Sequence, residues 1–354
     1  MSRRTGIGLP AEVVPFPVGP EYRIRPDLRR LEPGSRHFVS DARWPKYLAR
    51  KLSLLEADAE RCRVIAGDEQ ALMAVLWRVA ELLAVEQPQR FRLEDNCFTI
   101  RELDLTFRRD GSYDDALPGA ATSSGSNDRV DAGTICPDDP AGSNVRERVR
   151  VHLGGLGTVE RLSDAIALAV QEDYVIVAGP PGEDRAELLH VCLPSHWNPG
   201  DRRGASFAEL HAPVPHNSRL LAGSRNLVAA MLAKGPFERS VWSLTDTADL
   251  DQNPVRRGVD DARPEADPLD RLWFRSERQT TRALTKGTTP EGGRALFTIR
   301  IYVAPLRQVL DPGRAALLAA AIRSMDEELL RYKALVDRRD SLLAALDALA
   351  SAVH

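Results

Sequence analysis

The sequence has 354 residues, with 48 Lys and Arg against 51 Asp and Glu and a formal charge of −3. Hydrophobic residues at 43% and charged residues at 28% match an ordinary globular protein, large enough to bury a core without disulfide or metal staples. The near-neutral balance leaves no electrostatic footprint for nucleic acid, and no stretch approaches the ~20 apolar residues of a membrane span. Met1–Gly19 lacks the continuous apolar run of a secretory signal, so a cytoplasmic protein is expected.

An extended lead carrying Pro10, Pro15, Pro17 and Pro20 gives way to an amphipathic pattern. Trp44, Tyr47, Leu48, Leu52, Leu55 and Ala59 recur at three- and four-residue spacing, which predicts a helix. A second helix is predicted from about Asp68 to Glu86, with Leu72, Val75, Leu76, Val79, Leu82 and Leu83 on one side. Short alternating runs between Phe91 and Phe107 read as strands. Residues 1–108 are expected to be a helical and extended part of the same domain as the chain that follows. Residues 109–144 are small, polar and aperiodic, with too little apolar surface to offset their ordering entropy. They are expected to form a flexible surface insertion.

From Val145 the strand signal dominates. Val149, Val151 and Leu153 alternate; Val159–Val170 reads as a helix; Asp173–Gly179 reads as a buried strand ending at a turn. Leu188–Leu193 and Leu296–Val303 are further predicted strands, and Ser224–Leu232 a helix. Few strands are joined by helices of crossover length, so an α+β fold with an antiparallel sheet is expected, with residues 145–310 as its core. Residues 311–354 read as two helices, the second opened by a capping box of Ser324 and Glu327. Its leucines (Leu329, Leu335, Leu342, Leu346 and Leu349) are expected to close the chain's own fold.

Gly154-Gly-Leu-Gly157 lacks the third glycine of a dinucleotide fingerprint, and Gly179-Pro-Pro-Gly182 lacks the Lys-Ser/Thr of a P-loop. Both read as turns, which argues against a kinase, an NTPase or a dehydrogenase. Cys62, Cys97, Cys136 and Cys192 have no metal-ligand spacing and read as small buried hydrophobes. His190, Cys192 and His196 find no second cluster to complete a metal site, and no Gly-x-Ser-x-Gly elbow offers a nucleophile. His211 is different: Pro213 and Pro215 stiffen the backbone leaving it, at what reads as a strand end. A rigidly presented imidazole suits an axial metal ligand, although a structural histidine fits the same residues.

Pro194-Ser-His-Trp197, Leu210-His-Ala-Pro-Val-Pro215, Arg239 with Trp242, Arg275-Ser-Glu-Arg-Gln-Thr280 and Ile299-Arg-Ile-Tyr302 occur in this order. Together with Gln171-Glu-Asp173 and Tyr332-Lys333, they resemble the alpha subunit of haem-dependent oxidative N-demethylase, from the Trp44/Tyr47 helix to Lys333 outside residues 109–144. The resemblance implies a PAS-like antiparallel sheet with flanking helices and a C-terminal helical tail. It implies haem b as cofactor and O2-dependent removal of a methyl group from a small alkylamine. Electrons would come from NADPH through a partner reductase carrying FMN and an iron–sulfur centre, and a folate-binding subunit would receive the formaldehyde. By the same resemblance His211 is the iron ligand, and Arg239, Arg275, Arg278 and Arg300 are candidates to pair the haem propionates. Trp197 and Trp242 would line the pocket. Glu277 would attract an alkylammonium or neutralise a neighbouring arginine. Two departures stand out: Val241 occupies a position where the family usually carries asparagine, and Thr285 one where proline is usual. A non-catalytic haem or ligand sensor, or an interaction subunit, is the alternative.

Overall fold

The structure is a computed structural model that describes residues 13–24, 27–115, 145–256, 267–285 and 292–352. Residues 116–144, including Cys136 and most of the expected insertion, lie outside the described residues, as does the start of the extended lead. In chain order the first elements are β1 (Arg29–Arg30), α1 (Trp44–Asp58), β2 (Arg63–Ile65) and α2 (Glu69–Glu86). The spacing read from the sequence is the spacing buried: Trp44, Tyr47, Leu48, Leu52 and Leu55 of α1 face the core. Each fully buried leucine there contributes about 1.5–3 kcal/mol. Tyr47 then fixes the helix to the sheet by donating its hydroxyl to Ile301 O at 2.6 Å. The Asp68 carboxylate caps α2, accepting from Ala71 N at 2.9 Å.

A four-stranded meander follows, of β3 (Phe91–Glu94), β4 (Cys97–Ile100), β5 (Leu105–Arg108) and β6 (Tyr113–Asp115). Asp95 and Asn96 both sit at positive φ, 49° and 61°, the backbone that a tight two-residue hairpin requires. The chain resumes with α3 (Val145–Gly154), α4 (Thr158–Ala169), β7 (Asp173–Ala178) and β8 (Arg185–His190). Here one expectation fails: Val149, Val151 and Leu153 belong to helix α3, not to a strand. Val145, Val149 and Leu153 are buried while Val151 is 71% exposed. A four-residue spacing satisfies both periods, and only the middle residue's exposure separates them. Gly154–Gly157 therefore joins two helices and does not follow a strand.

The rest comprises α5 (Phe207–His211), α6 (Ser218–Ala222), α7 (Ser224–Ala233), β9 (Phe237–Thr245), α8 (Pro268–Arg271), β10 (Trp273–Thr285) and β11 (Arg294–Pro305). The chain ends in α9 (Leu306–Val309), α10 (Pro312–Arg323), α11 (Glu327–Tyr332) and α12 (Arg339–Ser351). Seven strands form one sheet in the order β1-β9-β10-β11-β7-β8-β2, and every strand pairing in both sheets is antiparallel. The fold is α+β, as expected.

The tail departs in detail. Beyond α10 there are two further helices, because Ala334 at φ 52° turns the chain between α11 and α12. The cap of α11 is Asp326, accepting from Leu329 N at 2.9 Å. Ser324 instead accepts from Tyr22 N at 2.8 Å and donates to Ala321 O at 2.6 Å. The leucines do close the chain's own fold: Leu329, Leu335, Leu342 and Leu346 pack with Leu244, Leu269 and Phe274. Among the described residues no helix is long and apolar enough to cross a membrane.

Candidate functional site

His211 ends a short helix, where the sequence suggested a strand end. Ser206 and Glu209 close a capping box at the start of α5, Ser206 Oγ accepting from Glu209 N at 3.2 Å and the Glu209 carboxylate accepting from Ser206 N at 2.8 Å. Asp184 accepts from Phe207 N at 2.8 Å. At the other end Asn217 Nδ2 donates to His211 O at 3.1 Å and Ala212 O at 2.8 Å. The helix is thus held at both ends, and Pro213 and Pro215 stiffen the exit.

The imidazole itself has one orientation. It stacks on Phe207, ring centroids 4.1 Å apart, and Nδ1 lies 2.8 Å from Phe207 O. A carbonyl only accepts, so Nδ1 carries the proton and Nε2 keeps its lone pair. Among the described residues nothing hydrogen-bonds Nε2. Burial pushes the imidazole down to about 4, Arg239 adding to the effect and the Phe207 hydrogen bond opposing it. At neutral pH the ring is uncharged, the form that ligates a metal.

The sheet sorts the remaining candidates. Residues opposed across a ladder share a face. Gln279 is opposite Arg239 and Ile299, Glu277 opposite Val241 and Ile301, and Arg275 opposite Ser243 and Val303. Arg278 is opposite Ser240 and Arg300, and Ser276 is opposite Trp242 and Tyr302. Arg239, Arg275 and Glu277 therefore lie on one face, and Trp242, Arg278 and Arg300 on the other.

On the first face a polar relay runs along the strands. Arg239 Nε donates to Gln279 Oε1 at 2.7 Å, and Gln279 Nε2 donates to Glu277 Oε2 at 2.8 Å. Ser195 donates its hydroxyl to Glu277, and accepts from Arg275 Nε at 2.9 Å. Trp197, Phe207 and Leu210 pack on an apolar cluster that α7 supplies with Val228, Met231 and Leu232. His211, Trp197, Arg239 and Glu277 are thus brought to one region. On the exit from α5 a cleft of about 440 Å³ opens between Ala212–Asn217 and Glu328, Arg331 and Tyr332 of α11, with none of His211, Trp197, Arg239 and Glu277 in its lining.

The other arginines are occupied within the chain. Arg275 is fully buried, giving Nη1 to Leu250 O at 2.9 Å and Nη2 to Leu193 O at 3.0 Å, which ties down the 193–195 segment. Arg278 donates to Glu238 at 3.2 Å and Arg36 O at 2.9 Å. Arg300 meets Asp41 at 2.6 Å, between the rings of Tyr47 and Tyr302. The guanidiniums of these three hold the fold together. Trp242, across the sheet from Trp197, stacks on Phe274 and meets Tyr22 edge to face, and its carbonyl accepts from Lys333 Nζ at 2.7 Å.

Three contributors escaped the sequence reading. Gln279 and Ser195 lie within motifs quoted above but carry no role there, Asn217 lies outside them, and only strand register and loop closure give the three meaning. His190 Nε2 pairs with Asp164 at 2.8 Å, and among the described residues no group of three His, Cys, Asp or Glu side chains is placed to share a metal ion.

The donor set fits a haem iron: a neutral, oriented imidazole with a cation and apolar rings nearby. A family model described as haem-dependent oxidative N-demethylase, alpha subunit-like, matches residues 144–343. The match takes in α5, the relay and the tail as far as α12. With more than half of its length so matched, the chain belongs to the haem-dependent oxidative N-demethylase alpha subunit-like family.

Proposed function

We propose that this chain is the haem-binding oxygenase component of an oxidative N-demethylase, with His211 as the iron ligand. The observation that carries the reading is the Nδ1 hydrogen bond to Phe207 O, 2.8 Å, which fixes tautomer and ring plane before any metal arrives. Bound at His211, haem b would supply the centre at which O2 is reduced and an N-methyl group oxidised, with electrons delivered from outside the chain. Arg239, oriented by Gln279, would pair a haem propionate. Glu277 holds the substrate: a small secondary amine is protonated at neutral pH, and the Glu277 carboxylate accepts its N–H. Trp197 and the α7 side chains exclude water on that face.

The sheet with its flanking helices is the PAS-like body of this component, working in the cytoplasm. No nucleotide fingerprint or cysteine cluster occurs in the sequence, so a partner reductase with FMN and an iron–sulfur centre supplies NADPH-derived electrons. A folate-binding subunit takes the formaldehyde.

The test is absorption spectroscopy of the full chain titrated with haem, followed by formaldehyde release from dimethylamine with O2 and a supplied reductase. A Soret band should appear, be lost in His211→Ala and return with added imidazole. Equal haem binding by His211→Ala removes His211 as the ligand. Intact haem binding with no formaldehyde from any methylamine removes the demethylase reading and leaves a sensor.

A further inference from the structure

Cys62 and Cys192 are 130 residues apart in sequence and adjacent in the core. Cys62 leads into β2 and Cys192 follows β8, strands that pair Arg63 with His190. Val191 N donates to Cys62 O at 2.7 Å just beyond that ladder. Both thiols are fully buried, and Cys192, one residue past the position opposite Cys62, donates to the Cys62 sulfur. Arg256 Nη1 lies 3.4 Å from the same sulfur, and Asp251 holds this guanidinium at 3.0 Å through Nε. His190 Nδ1 is 3.9 Å from Cys192 Sγ. A thiol that merely fills space requires no cation and no second thiol directed at it.

We propose that Cys62 and Cys192 are a redox-active dithiol that a peroxide converts to an intramolecular disulfide. The Cys62 thiolate attacks one peroxide oxygen; the O–O bond breaks, hydroxide leaves, and the sulfur becomes a sulfenic acid, two electrons having passed to the peroxide. Cys192 then attacks that sulfur; the S–S bond forms, hydroxide leaves, and the thiol's proton converts it to water. The net change is two thiols and one peroxide to a disulfide and two waters. Electrostatics assigns the order. The hydrogen bond from Cys192, then Arg256, holds the Cys62 thiol below its ordinary value, while burial pushes Cys192 well above. The attacking sulfur is the one with the lower value.

The pair is placed where oxidation is felt. Cys192 runs directly into Leu193–Ser195, the segment that binds Arg275 and donates to Glu277. A new bond at Cys192 pulls on that segment, and this regulatory consequence rests on the haem reading above, whereas the disulfide does not.

The experiment exposes the full reduced chain to hydrogen peroxide, alkylates the remaining thiols in denaturant and maps the peptides without reduction. The expected product joins the Cys62 and Cys192 peptides and is reversed by dithiothreitol, with Cys97 still alkylated. Arg256→Gln should form it about tenfold more slowly, the thiolate having lost its cation. Full alkylation of both thiols after peroxide, or an unchanged rate in Arg256→Gln, overturns the proposal. The wild-type map needs no variant to fold, and haem binding can fail without affecting it.

Discussion

Gln279 stands across the ladder from Arg239 and divides its amide between two charges, taking Arg239 Nε on Oε1 at 2.7 Å and giving Nε2 to Glu277 at 2.8 Å. A neutral side chain thus keeps a cation and an anion on the same face at a fixed separation without letting them collapse onto each other. Gln279→Leu keeps the bulk and removes both bonds, leaving two half-buried charges short of a partner. Urea unfolding should show a loss of about 1–3 kcal/mol. A haem titration of the same variant should weaken if Arg239 positions a propionate.

The capping box of α5 offers a second test. Ser206→Ala removes the hydroxyl that accepts from Glu209 N, at about 1 kcal/mol of stability. Because the helix has only five residues, that loss falls directly on the turn that orients His211 through Phe207 O. Haem should dissociate several-fold faster from Ser206→Ala in a transfer assay to a globin scavenger, with the Soret maximum unmoved. An unaltered rate would mean that the box supports the loop and not the ligand.

This dependence on short elements explains what was legible beforehand. Long amphipathic helices such as α1 and α2 announce themselves, since their periods repeat several times. Helix α5 is too short for any period, so the His211 motif could be found while its conformation could not. Strands β9 and β10 carry Arg239, Ser243, Arg275 and Arg278 on both faces, and buried charge hides the alternation that marks a strand. The division of the arginines between two faces is a matter of register, which a list of motifs does not contain.

Asp164 provides a pH test of the core. It accepts from His190 Nε2 at 2.8 Å and His152 Nε2 at 2.7 Å and pairs with Arg63. Burial alone would raise its carboxyl, but these partners outweigh burial and hold it well below the usual carboxylate range. A depressed carboxylate contributes stability above its unfolded value, near 3.9, and loses it as pH falls through the folded value. Asp164→Asn should therefore flatten the fall in stability between about pH 4 and pH 2, and cost about 3–5 kcal/mol near neutrality. Urea unfolding of both proteins across that range checks the slope.

Lys333 predicts the opposite end of the scale. Its Nζ donates to Trp242 O at 2.7 Å beneath the Tyr22 ring, 4.8 Å away, and burial pushes it down to about 8, with Glu277 opposing. Between about pH 8 and 10.5 the unfolded chain binds the proton that the folded chain has lost, so this group adds stability as pH rises. Lys333→Met keeps the stem against Trp242 and abolishes the titration. The stability difference between variant and wild type should therefore shift in favour of wild type from pH 8 to 10, by at most about 3 kcal/mol. Taking the difference cancels the tyrosines and other lysines that titrate in the same range. A difference that stays level would mean that the ammonium reaches water past Tyr332 and is not held in the aromatic enclosure.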